Sequence, residues 1–117
     1  MSKAAVLVLA DTETHADQSV FNALVATKEF KEAGDEVHLI FDGAATNWPG
    51  VLSDPNHQAH EVYQAVSDVV EGACGFCAKA FHAQQSAHDA DVHLLDEYEG
   101  HPSIRRLVSA GHEIITF

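Results

Sequence analysis

The first apolar run of the chain is Ala4-Ala5-Val6-Leu7-Val8-Leu9-Ala10. A short run without interspersed polar residues is typical of a strand that is buried on both faces of a parallel sheet. We therefore predict a central strand here. Residues 37–41 form a second apolar strand, which the turn pair Asp42-Gly43 closes. Both strands are expected in one sheet.

Segments with helical spacing follow the predicted strands. Apolar residues recur at this spacing after Thr14, which can cap a helix, until Gly34 supplies the stop, so helix one is predicted over residues 14–33. Helix two is predicted to begin at Asp54-Pro55 and to end at Gly72, because an aspartate and a first-turn proline are typical of a helix start. The remaining predicted elements are a turn-rich loop over residues 44–53 that has room for one helical turn, a very short strand Gly72-Ala73-Cys74, a helix of small residues after it, a strand over residues 92–95, a helix over residues 102–110 and a strand over residues 113–117.

Strands and helices thus alternate along the chain. This order implies right-handed crossovers and one sheet that is covered on both faces. The predicted fold class is α/β, a three-layer sandwich in which helices flank a mainly parallel five-stranded sheet. No linker, repeat or low-complexity segment interrupts the pattern, so residues 1–117 are expected to form a single domain.

The charge balance is strongly acidic. Six Lys and Arg stand against 18 Asp and Glu, which gives a formal net charge of −12 with neutral His. Such a surface repels phosphate backbones and anionic lipids, so neither nucleic acid nor a membrane is expected as a partner. The apolar run after Lys3 is far shorter than the ~18 residues of a membrane-spanning helix and lacks a signal-peptide cleavage pattern. We therefore expect a cytoplasmic protein.

Polar residues follow several predicted strands at the point where each strand ends. The carboxyl ends of parallel strands meet at one edge of the sheet, where ligands bind. Trp48, in the loop after the second strand, is a further candidate for ligand binding. The residues expected around one pocket at this edge are Asp11, Thr12, Asp42, Gly43, Cys74, Asp96, Glu97 and Tyr98.

Two cysteines lie one helical turn apart. Cys74 is placed at a strand-to-helix junction, where free backbone N–H groups and the helix dipole stabilise a thiolate, and Gly75 permits close approach to its sulfur. Cys74 is therefore the candidate nucleophile. Cys77 is a candidate for resolving a disulfide or persulfide on Cys74, or it is a small buried side chain that packs beside Phe81.

A polar stretch precedes the last predicted helix. His101 is a candidate for moving protons at a thiol, and Tyr98 is a candidate hydrogen-bond donor to an anionic sulfur species. Arg105 and Arg106 are the only arginines. They can attract an anionic sulfur substrate. The alternative, which is the more common role of surface arginines, is solvation or a salt bridge between subunits.

Metal and nucleotide sites are the alternatives to this thiol chemistry. A zinc site would draw on Cys74, Cys77, His82 and His88, although three of these would have to converge from one short helix. His57, His60 and Glu61 are a second candidate metal set on one helix face. The chain contains no phosphate loop, dinucleotide fingerprint or serine nucleophile elbow. We expect no cofactor and no resident metal.

Four stretches carry a resemblance to the DsrE/DsrF-like family of small α/β proteins, which includes sulfur-relay subunits. The resemblance covers essentially the whole chain, which departs from the relay subunits in having Cys77 and the Trp48-Pro49 loop. The four stretches are Ala5-Val6-Leu7-Val8-Leu9-Ala10-Asp11, residues 33–44, Gly72-Ala73-Cys74-Gly75-Phe76-Cys77-Ala78, and Gly100-His101-Pro102-Ser103 with Gly111.

The resemblance implies a sulfur carrier. Family members hold a persulfide on a cysteine at a strand end, which corresponds here to Cys74, and they are commonly trimers or hexamers. A homo-oligomer with a sulfur donor or acceptor protein as partner is therefore expected, and a sulfurtransferase activity is an open question. A dithiol redox protein that uses Cys74 and Cys77, a small-ligand or metal-binding oligomer, and a scaffold without chemistry remain the alternatives.

Overall fold

A single parallel sheet organises the chain. The computed structural model describes residues 1–13 and 16–117. The strands are β1 (Lys3–Val8), β2 (Glu36–Phe41), β3 (Val70–Cys74), β4 (Leu94–Leu95) and β5 (Glu113–Thr116). They lie in the order β4-β3-β2-β1-β5, and every neighbouring pair is parallel. The predicted five-stranded sheet is confirmed, with β1 in its interior and β2 in its middle.

Six α-helices connect the strands within the described residues: α1 (Asp17–Glu32), α2 (Trp48–Leu52), α3 (His60–Val66), α4 (Gly75–Ala80), α5 (Gln84–Asp89) and α6 (Ile104–Ser109). Short 3-10 helices at Gly43–Asn47 and Ser67–Val69 precede α2 and β3. In the part of the chain that is described, no helix is long and apolar enough to cross a membrane.

Alternate side chains of the inner strands fill two cores, because successive strand residues point to opposite faces of a sheet. Val6 and Val8 belong to the larger core, which α1, α2 and α3 cover. Ala5 and Leu7 belong to the smaller core, which includes Leu107 of α6. Helices therefore cover both faces, and the predicted three-layer α/β class is confirmed.

The second predicted helix begins later than expected. Asp54-Pro55 is not its start, because the Asp54 carboxylate accepts the N–H of Asn56 at 2.9 Å and holds a turn that competes with a helix. The helix α3 begins at His60 and ends at Val66, and Val70 already starts β3. The predicted run of helix to Gly72 is therefore wrong.

Other differences concern element ends and short helices. The predicted loop over residues 44–53 is largely helical, with Pro49 in the first turn of α2. The helix after Cys74 divides into α4 and α5 near His82, whose φ of 56° is left-handed. Helix α1 begins at Asp17 after Ala16, and the predicted cap Thr14 lies outside the described residues.

Candidate functional site

Cys74 is the last residue of β3 and caps α4. It lies at the carboxyl edge of the sheet and is fully buried. Its Sγ accepts the backbone N–H of Cys77 at 3.4 Å, as a cap side chain does in the first turn of a helix. The predicted strand-to-helix junction is thus observed, and it fixes the sulfur atom at the end of the strand.

Two glycines allow the neighbouring chain to approach this junction. A Cβ at Gly72 would lie 2.4 Å from the carbonyl oxygen of His93, so β3 and the segment before β4 can pack closely only with glycine here. A Cβ at Gly75 would lie 3.1 Å from the Leu95 oxygen and 3.4 Å from the Gly100 oxygen. Gly75 therefore leaves room for the loop that carries His101.

His101 reaches the buried sulfur from a tight turn. Tyr98 and His101 exchange backbone hydrogen bonds of 2.9 and 2.8 Å across Glu99 and Gly100, whose φ values of 49° and 84° suit a two-residue turn. The N–H of Phe76 donates to the Gly100 oxygen at 2.8 Å and ties this turn to α4. The His101 Nδ1 lies 3.2 Å from the Cys74 Sγ.

The His101 ring is also held from its side. It stacks on the Phe76 ring with centroids 4.7 Å apart and an interplanar angle of 29°. Phe76 itself is 58% exposed. The Phe76–His101 stack therefore connects the buried sulfur to the protein surface, with the imidazole in direct contact with Cys74.

Cys77 is the more accessible of the two thiols. It is partly exposed, and its Sγ donates to the Asp42 Oδ1 at 3.6 Å. The same carboxylate oxygen accepts the N–H of Gly43 at 2.8 Å and so caps the 3-10 helix after β2. The carboxyl ends of β2 and β3 thus bring Asp42, Cys74 and Cys77 together, as the strand order requires.

Burial dominates the electrostatics of Cys74. Desolvation raises the pKa of its thiol to about 12, and the neighbouring Cys77 thiol and Asp42 act in the same direction. The backbone N–H of Cys77 lowers the pKa, as the sequence predicts for this junction, but it does not outweigh burial. Cys74 is therefore a neutral thiol at rest, and a base must take its proton before it can attack. His101 is the base in contact.

The same three side chains are also able to bind a metal. The Cys74 Sγ, the Cys77 Sγ and one ring nitrogen of His101 all lie within 4.8 Å of one another. The zinc set predicted from the sequence has His82 and His88 in place of His101, and both of these histidines are exposed. In the second candidate set, the His60 Nδ1 contacts the Leu52 oxygen at 2.7 Å and the His57 ring packs on Trp48, so these rings serve local structure.

The other predicted site residues lie elsewhere along the edge. Trp48 is buried, and its Nε1–H donates to the Ala10 oxygen at 2.7 Å, which ties α2 to the end of β1. Asp11 lines a small pocket of about 110 Å³ with Asn47 and Phe81. Tyr98 is 65% exposed and borders a cavity of about 560 Å³ beside residues 102–105. The single predicted pocket is thus divided into the thiol cluster and two separate depressions.

Two features of the thiol cluster are absent from the sequence prediction. Phe76 and the Gly100 carbonyl position the His101 turn. Asp42, which the sequence predicts as a ligand-binding residue, accepts a hydrogen bond from the Cys77 thiol. Gly100 before His101 is a turn signal in the sequence. Nothing in the sequence pattern indicates which carboxylate faces Cys77.

Arg106 forms an ion pair with Glu97 at 2.7 Å and another with Glu71 at 3.0 Å, as the salt-bridge alternative predicts, although both lie within the chain.

Comparison with known proteins identifies the fold. No protein-family model matches the chain. The uncharacterized protein MJ0733 of Methanocaldococcus jannaschii is 29% identical over 96 residues, which cover 82% of this chain and 78% of that protein. The structure of the ychN protein from E. coli matches with a TM-score of 0.65 and 15% identity over 100% of both chains. That of BT1422 from Bacteroides thetaiotaomicron, a conserved protein of unknown function, matches with a TM-score of 0.65 and 15% identity over 97% of this chain and 94% of that one. The chain therefore has a DsrE/DsrF-like fold.

Proposed function

We propose that this chain is a sulfur carrier of the DsrE/DsrF-like family, in which Cys74 accepts a sulfane sulfur from a donor persulfide and passes it to an acceptor protein. The observation that carries the proposal is the 3.2 Å contact between the Cys74 Sγ and the His101 Nδ1. A buried thiol whose pKa is raised to about 12 needs such a partner to become a nucleophile. A homo-oligomer, as in family members, is part of the proposal.

Loading of Cys74 begins with a proton transfer. The thiol proton moves to the His101 Nδ1, and the thiolate attacks the outer sulfur of the donor persulfide R–S–SH. The S–S bond of the donor breaks, and R–S⁻ leaves and takes the proton from the imidazolium. The products are Cys74–S–SH and R–SH, and His101 returns to its neutral form. The Cys77 N–H, 3.4 Å from the Sγ, stabilises the negative charge while it is on Cys74.

Discharge reverses these roles. The acceptor thiol gives its proton to the neutral His101, and its thiolate attacks the outer sulfur of Cys74–S–SH. The S–S bond breaks, and Cys74 leaves as a thiolate that takes the proton back from His101. Cys77 supplies a second route, in which its thiolate attacks the Cys74 Sγ, forms a disulfide and releases hydrosulfide. Asp42, 3.6 Å from the Cys77 Sγ, is the acceptor for the Cys77 proton on this route. Tyr98 contributes the backbone of the His101 turn, since its ring faces another cavity.

The burial of Cys74 has two consequences for this function. A persulfide in a buried position is shielded from solvent thiols that would reduce it. A donor reaches the sulfur only after one of the groups around it has moved, and the exposed Phe76 and the His101 turn lie on the route to the surface. Transfer should therefore require this turn to open, either on contact with a donor protein or slowly by itself.

A dithiol redox function is the second candidate. The two sulfur atoms lie within 4.8 Å of each other, so a modest side-chain rotation would bring them to bonding distance. Exchange with a disulfide such as oxidised glutathione would then form a Cys74–Cys77 disulfide, and two molecules of reduced glutathione would be released. This function depends equally on both cysteines, whereas sulfur loading depends on Cys74 alone.

Sulfur loading of three proteins separates these functions. The wild type, Cys74→Ser and His101→Gln are each incubated with a persulfide donor, alkylated and mapped by peptide mass spectrometry. We expect one additional sulfur on the Cys74 peptide of the wild type, none on any peptide of Cys74→Ser, and loading slowed about 100-fold in His101→Gln, as for the loss of a general base. Unchanged loading of Cys74→Ser would contradict the proposal. Oxidised glutathione with the same proteins tests the redox function.

A further inference from the structure

A second cluster of ligating side chains lies at the opposite edge of the sheet from the thiols. Glu36 and His38 are two residues apart at the start of β2, so they point to the same face. His112 directly precedes β5. One ligand atom from each of these residues lies within 4.8 Å of the other two. The cluster takes no part in the proposed sulfur chemistry.

His112 holds its ring nitrogens in different environments. Its side chain is only 4% exposed, and its Nδ1 lies 3.1 Å from the Leu107 oxygen. A carbonyl oxygen only accepts hydrogen bonds, so Nδ1 carries the proton. The Nε2 is buried and lies 2.6 Å from the Glu36 Oε2, with which it forms an ion pair when the ring is protonated. The second ring nitrogen of His112 is therefore directed at a carboxylate.

His38 has the same arrangement. Its Nε2 lies 3.5 Å from the Glu36 Oε2, and its Nδ1 lies 3.7 Å from the Glu71 Oε1. Arg106 contacts this Glu71 oxygen at 3.0 Å and fixes the carboxylate behind the ring. Both imidazoles thus face Glu36 with Nε2 and an acceptor with Nδ1, which is the orientation that outer partners impose on metal-bound histidines.

Ala5 of β1 makes this approach possible. β1 lies between β2 and β5, and Ala5 pairs with His38 on one side and Ile114 on the other. Its methyl group leaves room above the strand, and the centroids of the His38 and His112 rings are 5.0 Å apart.

We infer that Glu36, His38 and His112 form a binding site for a divalent transition-metal ion of the Zn²⁺ class. The ligands are the Glu36 Oε2 and the Nε2 atoms of both histidines. Metal–ligand bonds of about 2.0–2.2 Å place tetrahedral ligands ~3.3 Å apart, so the 2.6 and 3.5 Å spacings require only small side-chain shifts. Glu36 and His38 are partly exposed, which leaves the fourth position to water. Glu71 is a positioning residue that orients His38.

The test uses a tag-free Cys74→Ser/Cys77→Ser protein as host, because the thiol cluster is a second possible metal site. Zn²⁺ is titrated into the host near neutral pH by calorimetry, and the melting temperature is measured in parallel. We expect one Zn²⁺ per chain and a higher melting temperature, since a ligand that binds the folded state stabilises it. Co²⁺ should give the visible bands of nitrogen and oxygen ligands.

Variants in the same host identify the ligands. Glu36→Gln and His38→Asn each should weaken Zn²⁺ binding at least 100-fold, and Glu71→Gln should weaken it about tenfold. His88→Asn removes an exposed histidine away from the cluster and should leave binding unchanged. The two partly exposed ligands carry the test, because a substitution of buried His112 can itself unfold the chain. The inference is overturned if the host binds no Zn²⁺, or if Glu36→Gln and His38→Asn bind it as tightly as His88→Asn.

Discussion

The raised pKa of Cys74 predicts how slowly this thiol is alkylated. Cys77→Ser leaves Cys74 as the only thiol, and it removes one neighbour that raises the Cys74 pKa while leaving burial, the largest cause, in place. A thiol pKa of about 12, as in the wild type, instead of the ordinary 9.0 lowers the thiolate fraction near neutral pH by a factor of ~1000, because each pKa unit is tenfold. Only the thiolate reacts with iodoacetamide.

The pH dependence of alkylation isolates this effect from access to the sulfur. The rate is measured by mass spectrometry from about pH 7 to about pH 10 for folded Cys77→Ser that also carries His101→Gln, because His101 would otherwise take the thiol proton. The same protein in urea is the control. We expect the folded rate to rise about tenfold per pH unit without a plateau, and the unfolded rate to level off near pH 9. A plateau of the folded rate below pH 8 would show a resting thiolate and refute the conclusion that burial dominates.

Three further predictions concern the groups that hold the two edges of the sheet. Gly72→Ala should lower the free energy of unfolding in urea by about 1–3 kcal/mol, since its Cβ would lie 2.4 Å from a backbone oxygen. Gly50→Ala is the control and should cost clearly less, because its Cβ meets only the Ser86 side chain. Equal costs would contradict this. Trp48→Phe should lower stability by about 1–3 kcal/mol through loss of the bond to the Ala10 oxygen, and an unchanged unfolding midpoint would show that this bond contributes nothing. The pKa of Glu36 is lowered, chiefly by His112 and further by His38 and Lys3, so its contribution to stability is present above its unfolded pKa and is lost as pH falls. Glu36→Gln should therefore flatten the acid side of the stability profile, and a profile that matches the wild type would contradict this.

The sheet could be predicted because its inner strands β1 and β2 are largely buried on both faces. Residues 4–10 contain no polar residue, so the run does not show the polar face of an amphipathic helix, and the structure places β1 in the sheet interior. The start of α3 could not be predicted, because a side-chain bond from Asp54 to the Asn56 N–H decides between a turn and a helix. Sequence periodicity does not report such a local competition.

The candidate site could be predicted where strand ends determine it. Parallel strands place Asp42 and Cys74 at one edge whatever the loops do, and the structure has both there. The direction of loop side chains depends on turns that periodicity does not describe. Trp48 is buried in the core and donates to the Ala10 oxygen, and Tyr98 is exposed beside another cavity although its own turn carries His101 to Cys74.

The central claim is that Cys74, and not Cys77, accepts the sulfur. The most direct measurement is the intact mass of Cys77→Ser and Cys74→Ser after incubation with the same persulfide donor, because each protein keeps one thiol. We predict a gain of one sulfur by Cys77→Ser, removed by a thiol reductant, and no gain by Cys74→Ser. The reverse result, with sulfur on Cys74→Ser alone, would contradict the account.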